Sequence, residues 1–295
     1  MLDLHGKLSC EGDGMRTAIV ADTNSGITPE EAAERGITLI PMPFLIDGAE
    51  YREGEDCTQP FFFERLAAGA EVATSQPSPG GITERWDRLL EDHDAILHFP
   101  MSASLSGSCQ TAKALALDYP GKVFVVDNRR ISVTLLQSLR QAQRLLAEGK
   151  SAEEVHRILE DRAAESSIYI AVNTLEYLKK GGRVTAAGAA MGTLLNLKPV
   201  LQIQGGKLDA YKKCRGMAAA CDAMLQAMTH DLAERFPDRE TRLFAVYSGD
   251  RAAGESWRAQ VQAAFPDREV ELAALPLSIC CHIGSGALAI ACAEV

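Results

Sequence analysis

The sequence is short of positive charge: Lys and Arg total 30 against 40 Asp and Glu, for a formal net charge of −10. Such a surface argues against general attraction to nucleic acid or anionic lipid. No C-x-x-C pair occurs among the 8 cysteines (Cys10, Cys57, Cys109, Cys214, Cys221, Cys280, Cys281, Cys292). Several lie in apolar runs such as "SICCHIGSGALAIACA", where a reduced cysteine packs as a small hydrophobe, so a reducing cytoplasm is the expected setting. There is no Walker loop and no G-x-G-x-x-G, which removes the usual routes to nucleotide binding. There is no H-E-x-x-H or Cys/His zinc framework either; His93 and His98 flank "DAIL" at an odd separation that sends them to opposite faces of an extended run. Repeats, low-complexity tracts and long linkers are absent as well. The first residues, "MLDLHGKLSCEGDGM", lack the basic and apolar regions of a signal peptide. Residues 1–15 read as a disordered extension, with Met15 as an alternative start to Met1. The one long charge-free stretch, Leu272 to Ala293, is interrupted by Pro276, His282, Gly284 and Gly286. It reads as two buried strands around a glycine turn and not as a membrane span.

What is present is 46% hydrophobic content in 295 residues, enough for a substantial core in one large or two smaller domains. From Arg16 to Ser166, strand-length apolar runs ("TAIVAD", "ITLIPMPFLI", "DAILHFP", "KVFVVDN") alternate with helical segments of period 3.6. That alternation predicts a parallel sheet covered by helices, a Rossmann-like α/β domain over residues 16–166. The segment "SAEEVHRILEDRAAES" opens with Ser151 and a capping-box Glu154 and closes this half. Residues 167–295 mix strand and helix without strict alternation: a Gly-Gly hairpin in "LKPVLQIQGGKLDAY", a long helix in "RGMAAACDAMLQAMTHDLAERF", and strands in "RLFAVYSG", "VELAALPLS" and "ALAIACAEV". This half is expected to be an α+β domain with a mixed sheet.

Three loops of the first half end a strand in small polar residues: "DTNSG", "TSQPSPGG" and "SASLSGSC". Loops at the carboxyl ends of parallel strands line one crevice, so these hydroxyls are placed to converge on a ligand. Each also suits a helix N-cap, and both roles stay open. The run "ASLSG" misses the first glycine of a nucleophile elbow, because Ser102, just before it, stands in that place. A serine hydrolase trio in the order Ser104, Asp250, His282 is available but its spacing is permissive. His282 interrupts an apolar run beside two glycines, either as a buried structural histidine or as a ligand contact. "LKKGGRV" and "YKKCRG" concentrate positive charge near glycines, as solvated faces or as docking surfaces for an anionic group.

In order along the chain, "DTNSGI", "TSQPS", "SASLSGSCQTA", "LEYLKKGGRV", "GTLLNLKPVLQIQGGKL" with "KKCRG", and "CHIGSGALAI" together resemble the DegV family of bacterial fatty-acid-binding proteins. The family includes the acyl-carrying subunits that work with a separate fatty acid kinase. The resemblance implies two domains holding one long-chain fatty acid in a tunnel between them, with no cofactor and no catalysis by this chain itself. It implies that the carboxylate meets Thr74 and Ser102, with Ser75 and Ser106 close by, His282 joining directly or through water, and Arg183 near the head group. Arg215 corresponds to an arginine on the face that meets the kinase, which forms an acyl phosphate for phospholipid synthesis. A lipid sensor or store without a kinase partner is the other reading in this class. Three positions depart from the family pattern: Thr23 replaces a frequent serine, Cys109 a frequent aromatic, and Ser285 a common proline. The Cys109 change bears on pocket width and acyl preference. Elementary energetics fits such a role: burying an acyl chain contributes ~0.8 kcal/mol per methylene, and a buried carboxylate then requires charge-assisted hydrogen bonds.

Overall fold

The computed structural model describes residues 15–191 and 197–295. The expected N-terminal extension, apart from Met15, and Gly192 to Asn196 of the "GTLLNLKPV" run lie outside the described residues. Strands and helices are numbered separately in chain order.

β1 (Thr17–Asp22) sits inside a four-stranded, all-parallel sheet with β2 (Ile37–Ile40), β6 (Ala95–Phe99) and β7 (Val123–Val125), in the order β2-β1-β6-β7. Successive strand residues face opposite sides. Thus Ile19 and Ala21 pack with Leu97 and Phe99 against α1 (Pro29–Glu34), α5 (Val133–Ala147) and α6 (Ala152–Asp161). Ala18, Val20 and Ile96 pack the other way, against α3 (Pro79–Leu90) and α4 (Ser108–Ala116) through Ile82, Trp86, Cys109 and Ala112. This is the α/β pattern expected of the first half.

The run "ITLIPMPFLI" is not the one strand expected. It divides at Pro41, because a proline has no N–H for a ladder and the residue preceding one is constrained. Its second half becomes β3 (Pro43–Ile46) of a small antiparallel sheet with β4 (Ala49–Arg52) and β5 (Val72–Thr74), in the order β4-β3-β5. The intervening α2 (Gln59–Ala67) adds Phe62 and Leu66 to the same core.

The third sheet is separate and mixed. β8 (Ser166–Ala171), β9 (Leu197–Ile203), β10 (Asp209–Arg215), β11 (Thr241–Tyr247), β12 (Val270–Ala274) and β13 (Leu288–Glu294) run in the order β10-β9-β8-β13-β11-β12, and only β11 with β12 is parallel. One face is covered by α9 (Gly216–Glu234) and α10 (Arg251–Ala264), which set Met224, Met228, Trp257 and Val261 against Ala245, Ile290 and Cys292. The opposite face carries Ile168, Ile170, Phe244, Val246, Ala289 and Ala291 toward the small sheet and α11 (Leu277–Ile283). The short helices α7 (Glu176–Gly181) and α8 (Ala186–Ala190) lie between β8 and β9 in the chain.

α11 corrects a second expectation. The stretch from Leu272 to Ala293 is not two strands around a glycine turn: β12 ends at Ala274, and "LSICCHI" is helical. Pro276 occupies its N-cap, and the Glu53 carboxylate accepts a hydrogen bond from Leu277 N at 2.7 Å. A carboxylate at that end satisfies a free amide and suits the helix dipole.

Polar bonds join the two sheets' elements. Arg140 of α5 makes a bidentate pair with Glu271 of β12 at 2.9 and 3.0 Å, and Gln141 donates to the Glu294 carbonyl at 2.9 Å. The fully buried Arg130 donates to Ser138, to Gln141 and to the carbonyls of Arg162 and Glu165.

Candidate functional site

Thr74 is the last residue of β5, paired with Phe44, and the following Ser75 donates its N–H to the Pro43 carbonyl at 3.0 Å. The chain then turns into α3, whose N-cap is Ser78, accepting from Gly81 N. This fixes Thr74 and Ser75 at the rim of a cavity of about 220 Å³. Across that cavity, Ser278 and His282 stand four residues apart on one face of α11. His282 Nε2 lies 2.9 Å from Thr74 Oγ1. The end of α7 backs the imidazole so closely that a Cβ on Gly181 would stand 2.3 Å from His282 Nδ1, which explains a glycine there.

Arg183 completes the polar end. Its Nε donates to the Leu105 carbonyl at 3.2 Å and a terminal nitrogen donates to the Gly181 carbonyl, so the guanidinium ties the serine loop to α7. Burial, and then the charge of Arg183, lower the His282 pKa to about 4. The imidazole is therefore neutral near pH 7. In the tautomer with hydrogen on Nε2 it donates to Thr74 Oγ1, and the threonine hydroxyl hydrogen is free to donate into the cavity. At the other end of α11, burial raises the Glu53 carboxyl to about 7 against the opposing bond from Leu277 N.

Thr74, Ser75, Ser106, Arg183 and His282 all line this one cavity. Ser102 does not. It is 1% exposed; its Oγ accepts from Ser104 N at 3.3 Å, and its carbonyl accepts from Leu105 N and Ser106 N. Ser102 thus closes the turn, and that turn directs Ser106 to the cavity. Ser106, one residue before the Gly107 N-cap of α4, accepts from Ser108 N at 3.2 Å through Oγ, so one side chain both satisfies a first-turn amide and lines the cavity. Arg215 is exposed at the end of β10 and is not a wall of the cavity.

Sequence reasoning missed Asn24, Ser278 and Gln76, which also line the cavity. Asn24 is buried, accepts from the Ser278 hydroxyl through Oδ1, and offers its carbonyl to Ser132 N at 2.8 Å. It lies inside the "DTNSG" loop that had been singled out. Ser278 became visible only once "LSICCHI" was known to be a helix that puts it one turn from His282.

A second cavity of about 50 Å³ lies behind the first, shares Ile131, Leu208, Ile279 and Ile283 with it, and is lined almost wholly by aliphatic side chains, several of them from the six-stranded sheet. The site therefore has a polar rim and an aliphatic interior.

The hydrolase trio is not assembled. Asp250 caps α10, accepting from Ala252 N and Ala253 N, the partner of His282 is Thr74, and Ser104 is not a cavity wall. The two flanking histidines are also separated, because β6 begins at Ala95 and leaves His93 bonded to the Leu89 carbonyl. His98 is buried with Nε2 3.7 Å from Asp22. Among the described residues no group of three or more His, Cys, Asp or Glu side chains is placed to hold a metal, and no helix is long and apolar enough to cross a membrane.

Residues 16–295 match the family model described as an uncharacterised protein of the DegV family. A DegV domain-containing protein from Deinococcus radiodurans is 33% identical, over 94% of this chain and 98% of its own length. The structure of a fatty-acid-binding DegV family protein from Thermus thermophilus superimposes with a TM-score of 0.86 at 34% identity, covering 95% of this chain and 100% of that one. A fatty-acid-binding DegV family protein from Streptococcus agalactiae gives a TM-score of 0.86 at 25% identity, covering 96% and 100%.

Proposed function

The chain belongs to the DegV family, and from that premise we propose that it binds one long-chain fatty acid and presents the carboxylate to a partner fatty acid kinase. The carboxylate sits at the rim, where Thr74, Ser75 and Ser106 offer hydroxyls and Arg183 offers charge; His282 acts from behind Thr74. The acyl chain runs inward past Ile131, Ile279 and Ile283 into the aliphatic chamber. The observation that carries this reading is the neutral His282–Thr74 pair beside Arg183, at the mouth of a cavity whose inner walls are aliphatic. Ser102 serves by shaping the loop, not as a head-group donor. The chain itself catalyses nothing; the kinase forms the acyl phosphate, and Arg215 on the exposed end of β10 belongs to the docking face.

The direct test is mass spectrometry of the purified protein, native and then denatured with organic extraction. The expected result is release of fatty acid near one per chain. A protein that carries none and takes up none when offered overturns the reading. For the partner, charge reversal at Arg215 is expected to weaken stimulation of acyl phosphate formation by the kinase while leaving acyl affinity unchanged.

A further inference from the structure

We propose that Val133 sets the longest acyl chain this protein accepts. The inference rests on the fatty-acid reading above and concerns the far end of the same site. The floor of the inner chamber can be read from the strand register. On β13, Ala289 lies between Ile170 of β8 and Val246 of β11, and Ala291 lies between Ile168 and Phe244. All of these side chains belong to the core on the same face of the sheet. Two alanines flanked on both sides by larger residues make a trough along β13. Ala287, at the strand's entry, belongs to the same core, and from there to Ala291 the strand advances roughly 13 Å at 3.3 Å per residue. Ile279 and Ile283 of α11 roof the trough, and the segment from Ile131 to Val133 walls it.

Those three consecutive residues trace the path. Ile131 borders both the polar cavity and the inner chamber, Ser132 borders the inner chamber alone, and Val133 borders the inner chamber and a third cavity of about 530 Å³. The third cavity is a cleft on the far side, walled in part by Leu136, Phe244 and Leu277. Among the described residues Val133 is the one side chain common to the chamber and this cleft, so it is the partition between them.

The partition is stiff. Val133 is 2% exposed and is the first residue of α5, where a β-branched side chain has one strongly preferred rotamer. The backbone before it is pinned: Ser132 N donates to the Asn24 carbonyl at 2.8 Å, and the Ser132 carbonyl accepts from Leu136 N at 3.0 Å. A methyl terminus that reaches this wall has nowhere further to go until the side chain is shortened. Removing the wall opens the chamber to the apolar surfaces of Leu136 and Phe244.

The test is competition binding of delipidated protein with saturated fatty acids from twelve to twenty carbons. It compares wild type with Val133→Ala, Val133→Phe and, as an independent obstruction from the floor, Ala291→Val. Val133→Ala is expected to move the preferred length up by about two carbons, and Val133→Phe and Ala291→Val to move it down. Each methylene gained or lost at the end of the chamber changes relative affinity roughly fourfold. Variants that bind with the wild-type length preference overturn the role of Val133 while leaving fatty-acid binding intact. A wild type that binds no fatty acid of any length overturns the binding reading and this inference together.

Discussion

Titratable groups with opposite effects on stability stand at the two ends of α11, Glu53 against its first amide and His282 in its last turn, and their near-cancellation is the sharpest quantitative consequence of the structure. His282 titrates near 4 in the folded chain instead of 6.5, so between those values the unfolded chain binds more protons; this contribution is complete above pH 6.5 and is lost as pH falls toward 4. Glu53 titrates near 7 instead of 4.5, so the folded chain holds the extra proton; its contribution is complete below pH 4.5 and is lost as pH rises toward 7. Each one-proton difference changes stability by about 1.4 kcal/mol per pH unit. Over the two units between pH 4.5 and 6.5 the groups therefore act with about 2–3 kcal/mol each, in opposite directions. Urea denaturation of delipidated protein at pH 4.5, 5.5 and 6.5 should show little slope from this pair in the wild type. Glu53→Gln exposes the histidine alone: relative to wild type, its stability should fall by about 2–3 kcal/mol on going from pH 6.5 to 4.5. His282→Gln should show the reverse trend. Comparing variants with wild type removes the contribution of every other carboxylate. If both variants run parallel to wild type across the range, burial does not displace these groups and the account of α11 is wrong.

Thr74→Val, which keeps the shape of the side chain and removes its hydroxyl, should weaken acyl binding about 10- to 100-fold, the range for one hydrogen bond to a charged group. Ser102→Ala should leave that affinity within about threefold, since Ser102 closes the turn and does not face the ligand; isothermal titration with a single fatty acid compares the two. Gly181→Ala places a methyl against His282 Nδ1 and should cost about 1–3 kcal/mol of stability. It should also lower acyl affinity by displacing the imidazole from Thr74, and a variant with wild-type affinity would show that the His282 contact is dispensable. A fluorophosphonate probe should label no serine or threonine, and stoichiometric modification of Ser104 or Thr74 would revive a hydrolase.

What the sequence made legible was whatever has a local period or a local partner. The parallel sheet follows from strand-length runs such as "TAIVAD", buried on both faces, and from the helices between them. Ser151 and Glu154 form the capping box that their spacing announces. The Gly205-Gly206 hairpin joins β9 to β10 where expected. α11 was illegible because it is short and six of its seven residues are buried, and its two polar side chains, Ser278 and His282, are one i, i+4 pair in an apolar run, too little to read a 3.6 period. The break at Pro41 was lost because two short strands in different sheets look like one long apolar run. At the site, Thr74 and His282 are 208 residues apart, and no spacing rule joins them; only the family resemblance did. Choosing among Ser102, Ser104 and Ser106 depended on a turn closed by two backbone bonds to the Ser102 carbonyl, a feature that alternating serines do not encode.

A hydroxyl 2.9 Å from a histidine is also the geometry of a nucleophile and its base, so distance alone does not separate carrier from hydrolase. The electrostatics favours the carrier proposed above. A general base is most effective with a pKa near the working pH, whereas burial and Arg183 hold His282 near 4, where it has little affinity for the threonine proton. A triad also needs a third group to orient the imidazole and stabilise its cation. Here Nδ1 faces the backbone at Gly181, and the nearest charge influencing the ring is the positive Arg183, which opposes a second cation. The same features favour holding an anion. A neutral imidazole carries no buried charge before the ligand arrives, it can donate to Thr74 and so polarise the hydroxyl toward a carboxylate, and Arg183 supplies the compensating charge at the rim. With aliphatic walls contributing ~0.8 kcal/mol per methylene, a sixteen-carbon chain gains about 11 kcal/mol gross, so tight binding needs only that the carboxylate not be left unpaired. The polar end has then to satisfy one anion and leave it chemically intact, and a threonine backed by a weakly basic histidine is suited to that and poorly suited to attack it.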